Sequence, residues 1–556
     1  MTHQNKYPKI PLAQSLLEIC KNKGVKHIVI SPGSRNAPLT IGFASNSFFK
    51  CYSIADERCA AFFALGLAQQ LNELVAVVCT SGSAVLNYYP AVAEAFYSQI
   101  PLVIISTDRP HDKIDIGDGQ TIRQENVFAN HIINSANLTE LASEENDIAI
   151  QYALQLALSQ KGPVHINVPF EEPLYETTTE ILVQPKCIQF NTPKEKTFVL
   201  KEEYISKWNT SKKKLILVGE SKPNAIEQTI IDELAEDNSV VIMIEKTSNL
   251  HHASFVANID TVITPFKSDD FEYFKPDILL TFGGMVVSKR IKAFLRKYKS
   301  NEHWHVDTLR AYNTYGCLTK HFEVDIQTFL EQILANKILI ETDYNTKMQE
   351  IIHLRKTKSK TYMENIPFSD FKVFDAIIKK LPKGCQLQVS NSSAIRYLQL
   401  LDIDESITVF CNRGTSGIDG STSTAIGAAV ASNRQTVFIT GDISFFYDSN
   451  ALWNSYVPKN FKIILVNNGG GGIFRILPGH EENEVFNTFF ETSHVLDASH
   501  LAKMFHFNYQ CCTNFEELEN NFITFINDNN MPSLLEIKTP EKLNDKILLD
   551  YFKNLK

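Results

Sequence analysis

Apolar and polar positions alternate along the chain in a repeated order: a short β-branched run, a turn rich in Gly, Ser or Asp, then a longer stretch with helical spacing. In the first third the runs are VKHIVISPGSRN (25–36), LVAVVCTSGSAVLN (74–87), PLVIIS (101–106) and PVHINVP (163–169), with the apolar stretch AAFFALGLAQQL (60–71) among them. Continuous apolar runs separated by helical segments predict parallel strands covered on both faces, a doubly wound α/β sheet. The pattern recurs with LILVG (215–219), VVIMIE (240–245) and DILLTFGG (277–284), and again with LQVSNSS (387–393), QTVFIT (435–440) and FKIILV (461–466). Three such units suit 556 residues. The reading is residues 1–185, 186–350 and 351–556, with a linker at 183–192 (VQPKCIQFNT) and a charged helix at 347–362 leading to the last unit near Pro367.

The densest chemistry lies at 440–474, TGDISFFYDSNALWNSYVPKNFKIILVNNGGGGIF. A strand ending at Gly441-Asp442 places a carboxylate at the C-terminal edge of a sheet, where open α/β sheets bind ligands. Asp448 and Ser449 can cap a short helix carrying Leu452 and Trp453, and the next strand ends at Asn467-Asn468. The spacing of about 26 positions between Asp442 and Asn468 fits one strand-helix-strand crossover, so two oxygen ligands arrive side by side. Mg²⁺ takes oxygen ligands from carboxylates, phosphates and water, and residues 469–472, all glycine, let backbone approach a diphosphate. A lone GD pair or glycine run is an ordinary strand end or loop; the two joined across one crossover are far more specific.

This arrangement resembles the diphosphate motif of thiamine diphosphate enzymes. Ile443-Ser444 after GD, where most of the superfamily has glycine, resembles the decarboxylating carboligases of menaquinone biosynthesis. The resemblance covers the first and last thirds and is weakest in the middle. It implies three α/β domains and an enzyme that joins the succinyl-semialdehyde unit of 2-oxoglutarate to isochorismate with loss of CO₂. It implies thiamine diphosphate with Mg²⁺ or Mn²⁺, and a homodimer or dimer of dimers whose active sites lie between subunits.

Carried onto this sequence residue by residue, the resemblance makes Glu57, in IADER (54–58), the carboxyl group at N1′ of the aminopyrimidine. There it favours the imino tautomer, whose 4′-nitrogen takes the C2 proton. Read without it, Glu57 is an acidic residue complementing a helix dipole. Cofactor contacts are implied for Thr80, Ser81, Gly82, Gln120, Asn391, Ser392, Gly417, Ile418, Gly441, Asp442, Ile443, Ser444, Asn468, Gly470, Gly471, Ile473 and Phe474. Metal ligands are implied at Asp442, Asn468 and Gly470, and the bulky Ile418 props the cofactor in its V shape. Substrate contacts are implied for Ser34, Arg35, Arg109, Lys289, Arg290, Ser392, Arg396 and Arg413. Two polyanionic substrates explain so many cations, and the planar guanidinium fork suits carboxylates. Before Gln120 the family pattern has asparagine, whereas this chain has Gly119. His251-His252 is read as structural, because the histidine pair of some thiamine diphosphate decarboxylases lies in the N-terminal domain and this one does not.

Composition narrows the picture further. A formal charge of −9 without Lys/Arg runs argues against nucleic-acid binding. No stretch reaches the roughly 18 apolar residues of a membrane span. The N-terminus lacks a signal-peptide core, so a cytoplasmic location is expected. Ten scattered cysteines without metal spacing suit reduced thiols, and no GxGxxG fingerprint points to a dinucleotide. The alternatives are another thiamine diphosphate 2-oxoacid decarboxylase or acetohydroxyacid synthase-like enzyme, and a catalytically silent subunit that keeps the fold for assembly.

Overall fold

The computed structural model describes residues 6–188, 190, 198–476, 479 and 481–556; the expected linker at 183–192 lies partly outside them. Three parallel sheets carry the chain. The first runs Lys50–Ser53, His27–Ile30, Val75–Cys79, Leu102–Asp108, Val164–Pro169, Asn134–Asn137 in spatial order. The second runs Val240–Ile244, Lys214–Val218, Ile278–Phe282, Glu302–Val306, Lys320–Phe322. The third runs Thr408–Phe410, Gln386–Val389, Thr436–Gly441, Lys462–Asn467, Ser533–Lys538, Asn508–Cys512. Central strands such as Val75–Cys79 and Lys462–Asn467 are buried along their whole length, as expected of strands covered on both faces. This is the α/β, doubly wound architecture with mainly parallel sheets that the pattern predicts.

The order in which strands are added reverses between the parallel neighbours His27–Ile30 and Val75–Cys79 in the first sheet and between Gln386–Val389 and Thr436–Gly441 in the third. At such switch points the loops leaving the carboxyl ends diverge and open a crevice. The loops at residues 31–35 and 80–82 flank one switch point; those at 390–392 and 441–442 flank the other.

The first and third sheets share one core. Helix Glu57–Leu71 crosses helix Ser421–Ala431 so closely that a Cβ on Gly66 would lie 2.1 Å from the Thr424 carbonyl oxygen. A Cβ on Gly427 would lie 2.1 Å from the Phe63 carbonyl oxygen. Side chains from both domains, among them Phe62, Phe63, Val77, Phe438 and Leu534, form a single apolar cluster. The middle sheet packs into two clusters of its own, drawn from residues 200–352.

Asp448 departs from its expected role. The turn of 3-10 helix Ser449–Leu452 follows it, but its side chain does not cap that turn. Instead it is buried, accepts hydrogen bonds from the Ser423 N–H at 2.8 Å and Ser423 Oγ at 3.1 Å, and receives Cys59 Sγ at 3.6 Å. Burial raises its pKa to about 6. A carboxylate joining two helices this deep in the core is satisfied by donors that only tertiary packing supplies.

Candidate active site

Gly441 closes its strand, and Asp442 opens helix Asp442–Tyr447 with only 3% of its surface exposed. Its Oδ1 accepts the Ile443 N–H at 2.7 Å, and its Oδ2 accepts the Gly470 N–H at 2.9 Å with His494 Nε2 at 3.3 Å. That carboxylate raises the His494 pKa above its ordinary value. Asn468 donates from Nδ2 to Asp370 at 2.8 Å, which fixes the amide and leaves its oxygen available to a ligand. Asp370 is buried and also accepts from Thr539 Oγ1 at 2.5 Å; desolvation, with Asp442 nearby, raises its pKa to about 6.

The glycine run earns its composition at specific places. Gly469 has φ +78°, and a Cβ on Gly470 would lie 2.9 Å from the Glu491 carbonyl oxygen. The Gly470 carbonyl accepts the Gly472 N–H at 3.0 Å, and Gly471 donates to the Glu491 carbonyl at 2.6 Å. Beyond the run, Ile473 and Phe474 lie in the turn of 3-10 helix Gly472–Ile476, and Arg475 makes a buried two-pronged pair with Glu491 that holds this loop down. A Cβ at Gly441 would meet no atom within 4 Å, so open space lies before the carboxylate.

These features fit a metal-bound diphosphate. One carboxylate and one oriented amide oxygen are hard donors of the kind Mg²⁺ prefers, and phosphate oxygens would complete them. Among the described residues no group of three or more His, Cys, Asp or Glu side chains could hold a metal unaided.

Beside this end, Asn391 organises residues 412–418. Its Nδ2 donates to the carbonyls of Asn412 and Gly417, both at 2.7 Å, and its Oδ1 accepts Arg413 Nη1 at 2.6 Å. The Ile418 carbonyl accepts Ser444 Oγ at 2.7 Å. Ser392, at φ +69°, precedes helix Ser393–Leu398, which carries Arg396. The buried Nε atoms of Arg396 and Arg413 have no hydrogen-bond partner among the described residues. Burial and the Arg413 charge lower the Arg396 pKa, so the pair is poised for an anion.

Lys289 and Arg290 open helix Lys289–Lys297 and are both exposed, with the Arg290 guanidinium 4.7 Å above the Phe552 ring. On the same helix Lys292, passed over in the sequence, is the residue whose pKa is lowered by burial and by the Arg413 charge. Three positions past Lys289, it sits on the same helical face, and that spacing was the available signal.

The second group of residues lies at the edge of the first sheet. Glu57 is the first residue of its helix, behind an Asp56 cap that accepts the Cys59 N–H at 3.2 Å. Among the described residues the Glu57 carboxylate has no hydrogen bond and no ion pair. The backbone N–H of Arg35, next to Ser34, donates to Thr80 Oγ1 at 3.2 Å, and its guanidinium is held by the Phe170 carbonyl at 3.0 Å and by Glu172 at 3.2 Å. Thr80 and Ser81 are buried, and Gly82, at φ +86°, leaves room for the Gln120 backbone, which a Cβ would approach to 3.2 Å. Arg109 Nε donates to the Gly119 carbonyl at 3.1 Å, and a Cβ at Gly119 would touch nothing within 4 Å. Gln124, not foreseen, ties this edge together by accepting the Gly82 N–H at 2.8 Å and donating to Asn167 at 2.9 Å.

Thus the structure gathers Asp442, Asn468, Gly470, Ser444, Ile418, Gly417, Asn391, Arg396 and Arg413 in one set. It gathers Ser34, Arg35, Thr80, Gly82, Gln120 and Arg109 near Glu57 in another. Among the described residues no hydrogen bond or ion pair joins a candidate of one set to a candidate of the other.

Comparison with known proteins identifies the family. Residues 10–132 match the family "Thiamine pyrophosphate enzyme, N-terminal TPP binding domain", residues 184–389 "Middle domain of thiamine pyrophosphate", and residues 391–537 "Thiamine pyrophosphate enzyme, C-terminal TPP binding domain". The 2-succinyl-5-enolpyruvyl-6-hydroxy-3-cyclohexene-1-carboxylate synthase of Flavobacterium psychrophilum is 64% identical over 549 residues, covering 99% of this chain and 100% of the relative. The synthases of that name from Flavobacterium johnsoniae and Christiangramia forsetii are 62% and 51% identical, each over 99% of this chain and 100% of the relative. The chain is therefore a thiamine diphosphate enzyme and belongs to the 2-succinyl-5-enolpyruvyl-6-hydroxy-3-cyclohexene-1-carboxylate synthase family.

Proposed function

We propose that the protein catalyses the thiamine diphosphate-dependent joining of the succinyl-semialdehyde unit of 2-oxoglutarate to isochorismate, with release of CO₂, as a step of menaquinone biosynthesis. The observation that carries this reading is the pair of buried guanidiniums, Arg396 and Arg413, whose Nε donors lack partners beside the Asp442–Asn468 end. Glu245 and Asp260 lie near enough to offset part of this charge, and a carboxylate substrate would take up the Nε donors left over.

When bound, the cofactor supplies a C2 nucleophile and an electron sink for decarboxylation. Asp442, the Asn468 amide oxygen and the Gly470 backbone are the proposed holders of Mg²⁺ or Mn²⁺. Gly441, Ile443, Ser444 and Gly471 would hold the diphosphate, Asn391, Ser392, Gly417, Ile418, Ile473 and Phe474 would pack against the cofactor, and Thr80, Ser81, Gly82 and Gln120 would contact the pyrimidine. Glu57 holds a proton at N1′: a partly buried carboxyl group facing an aromatic base shares its proton because neither separate charge is well solvated there. Ser34, Arg35, Arg109, Lys289, Arg290, Ser392, Arg396 and Arg413 orient the two polyanions.

Since among the described residues no hydrogen bond or ion pair joins the two sets, we assign the complete site to two copies, the Glu57 edge of one facing the Asp442 edge of the other. A homodimer, or a dimer of dimers, follows. Among the described residues no helix is long and apolar enough to cross a membrane, and the small polar substrates favour a cytoplasmic location.

The decisive assay combines protein, thiamine diphosphate, Mg²⁺ and 2-oxoglutarate, with isochorismate present or omitted, and follows CO₂ and isochorismate absorbance. CO₂ release that depends on isochorismate and consumes it supports the reading. Equal release without isochorismate would make the protein a simple decarboxylase.

A further inference from the structure

We propose that Glu94 is a positioning residue for substrate binding: from the N-terminal domain it fixes the loop at 412–418 of its own chain and thereby sets the reach of Arg413. Glu94 lies on helix Tyr89–Tyr97 and is 1% exposed. Its Oε1 accepts the Gly414 N–H at 2.7 Å and Ser98 Oγ at 2.8 Å; its Oε2 accepts the Thr415 N–H and Thr415 Oγ1, both at 2.7 Å. Four donors fill the acceptor sites of one carboxylate, and bonds to an ionised acceptor are the short, strong ones.

The fit is close. A Cβ on Gly414 would come within 2.7 Å of the Glu94 carbonyl oxygen and 2.8 Å of Ser98 Oγ, so only glycine lets the loop lie against this helix. The other fixed points of the loop come from its own domain: Asn391 on the carbonyls of Asn412 and Gly417 and on the Arg413 guanidinium, Thr424 on the Asn412 amide, and Ser444 on the Ile418 carbonyl. Between them stands Ser416 at φ +61°, a conformation that needs support. Without Glu94 the backbone N–H groups of Gly414 and Thr415, directly after Arg413, would lose the carboxylate that holds them.

A glutamine cannot replace the carboxylate. Its single oxygen could serve one side of the set, while its amide N–H groups would face the donors of the other.

This inference rests on the assignment of Arg413 to substrate, so the test has two parts that fail separately. The first is hydrogen exchange on full-length protein, comparing wild type with Glu94→Gln. Exchange of the amides at 412–418 is expected to rise about ten-fold, with the rest of the C-terminal domain unchanged. Should Glu94→Gln not fold, Thr415→Val, which removes one hydroxyl donor, is expected to raise exchange in the same peptide by about three-fold. Unchanged exchange would overturn the strut.

The second part is a double-mutant cycle with Arg413→Lys, read as KM for 2-oxoglutarate. Glu94→Gln should raise KM about ten-fold in the wild-type background and have little further effect beside Arg413→Lys. Additive effects would show that Glu94 does not act through Arg413. A wild-type enzyme that ignores 2-oxoglutarate would refute the substrate reading while exchange still decides the strut.

Discussion

Glu57 and His165 show two opposite uses of a titratable side chain. Glu57 is half-buried and, among the described residues, has no hydrogen-bond or ion-pair partner, so its chemistry awaits a ligand. Glu57→Gln is expected to reduce turnover by at least about a thousand-fold, while the affinity for thiamine diphosphate, read by fluorescence quenching, changes little; full turnover would remove Glu57 from its role. His165, by contrast, is fully buried, 2.7 Å from Ser106 Oγ, and desolvation lowers its pKa from 6.5 to about 3. Between those two values the unfolded chain binds a proton that the folded chain refuses, so stability falls as pH falls through this window. From pH 7 to pH 5 the wild type should lose about 2 kcal/mol more than His165→Gln, measured by denaturant unfolding at both pH values. Gly119 makes a third residue-scale case. With open space at its Cβ, Gly119→Asn should leave the melting temperature within about 1 °C of wild type, as expected for an exposed position away from packed contacts.

At the scale of elements, helix Glu57–Leu71 and helix Ser421–Ala431 touch through backbone at Gly66 and Gly427. Gly427→Ala is expected to cost about 3 kcal/mol and to lower the melting temperature by several degrees, because the Phe63 carbonyl has nowhere to move. A thermal shift below one degree would mean that the crossing is looser than described. Much of the element structure was legible in the sequence: buried strands announced themselves as continuous β-branched runs, and the residues directly after them are the candidates for cofactor and substrate. Two edge strands of the outer sheets were not, although the edge strand Val240–Ile244 was. Asn134–Asn137 (NSAN) and Asn508–Cys512 (NYQCC) carry little apolar signal and are fixed by the neighbour they pair with. Likewise invisible were the supports of the site. Asp370 holds Asn468 across 98 positions and Glu94 holds Thr415 across 321, and no local pattern encodes such pairs. The Arg475–Glu491 pair is nearer in sequence, but reads there as two ordinary surface charges.

At the scale of the whole molecule, the proposed exchange of site halves between copies has a direct test by complementation. Glu57→Gln and Asp442→Ala are each expected to be inactive alone. Unfolded together and refolded as a mixture, they should regain about a quarter of wild-type activity, because half the dimers are mixed and each of those holds one site with both native halves. No regain would place the whole site within one chain.

The apolar cluster shared by the first and third sheets draws on residues 29–128 and 425–534 and takes nothing from the segment between 200 and 352. As a matter of modularity, the two halves of the candidate site share a foundation, while the middle third stands largely on its own and reaches the third sheet's core through Val287. Substitutions within its two clusters are expected to leave that foundation intact, except where the middle third meets its neighbours, as at Asn249 on the Val409 backbone, at Glu245 beside Arg413 and along the helix that presents Lys292. The middle third is accordingly where a protein engineer can graft, trim or diversify first.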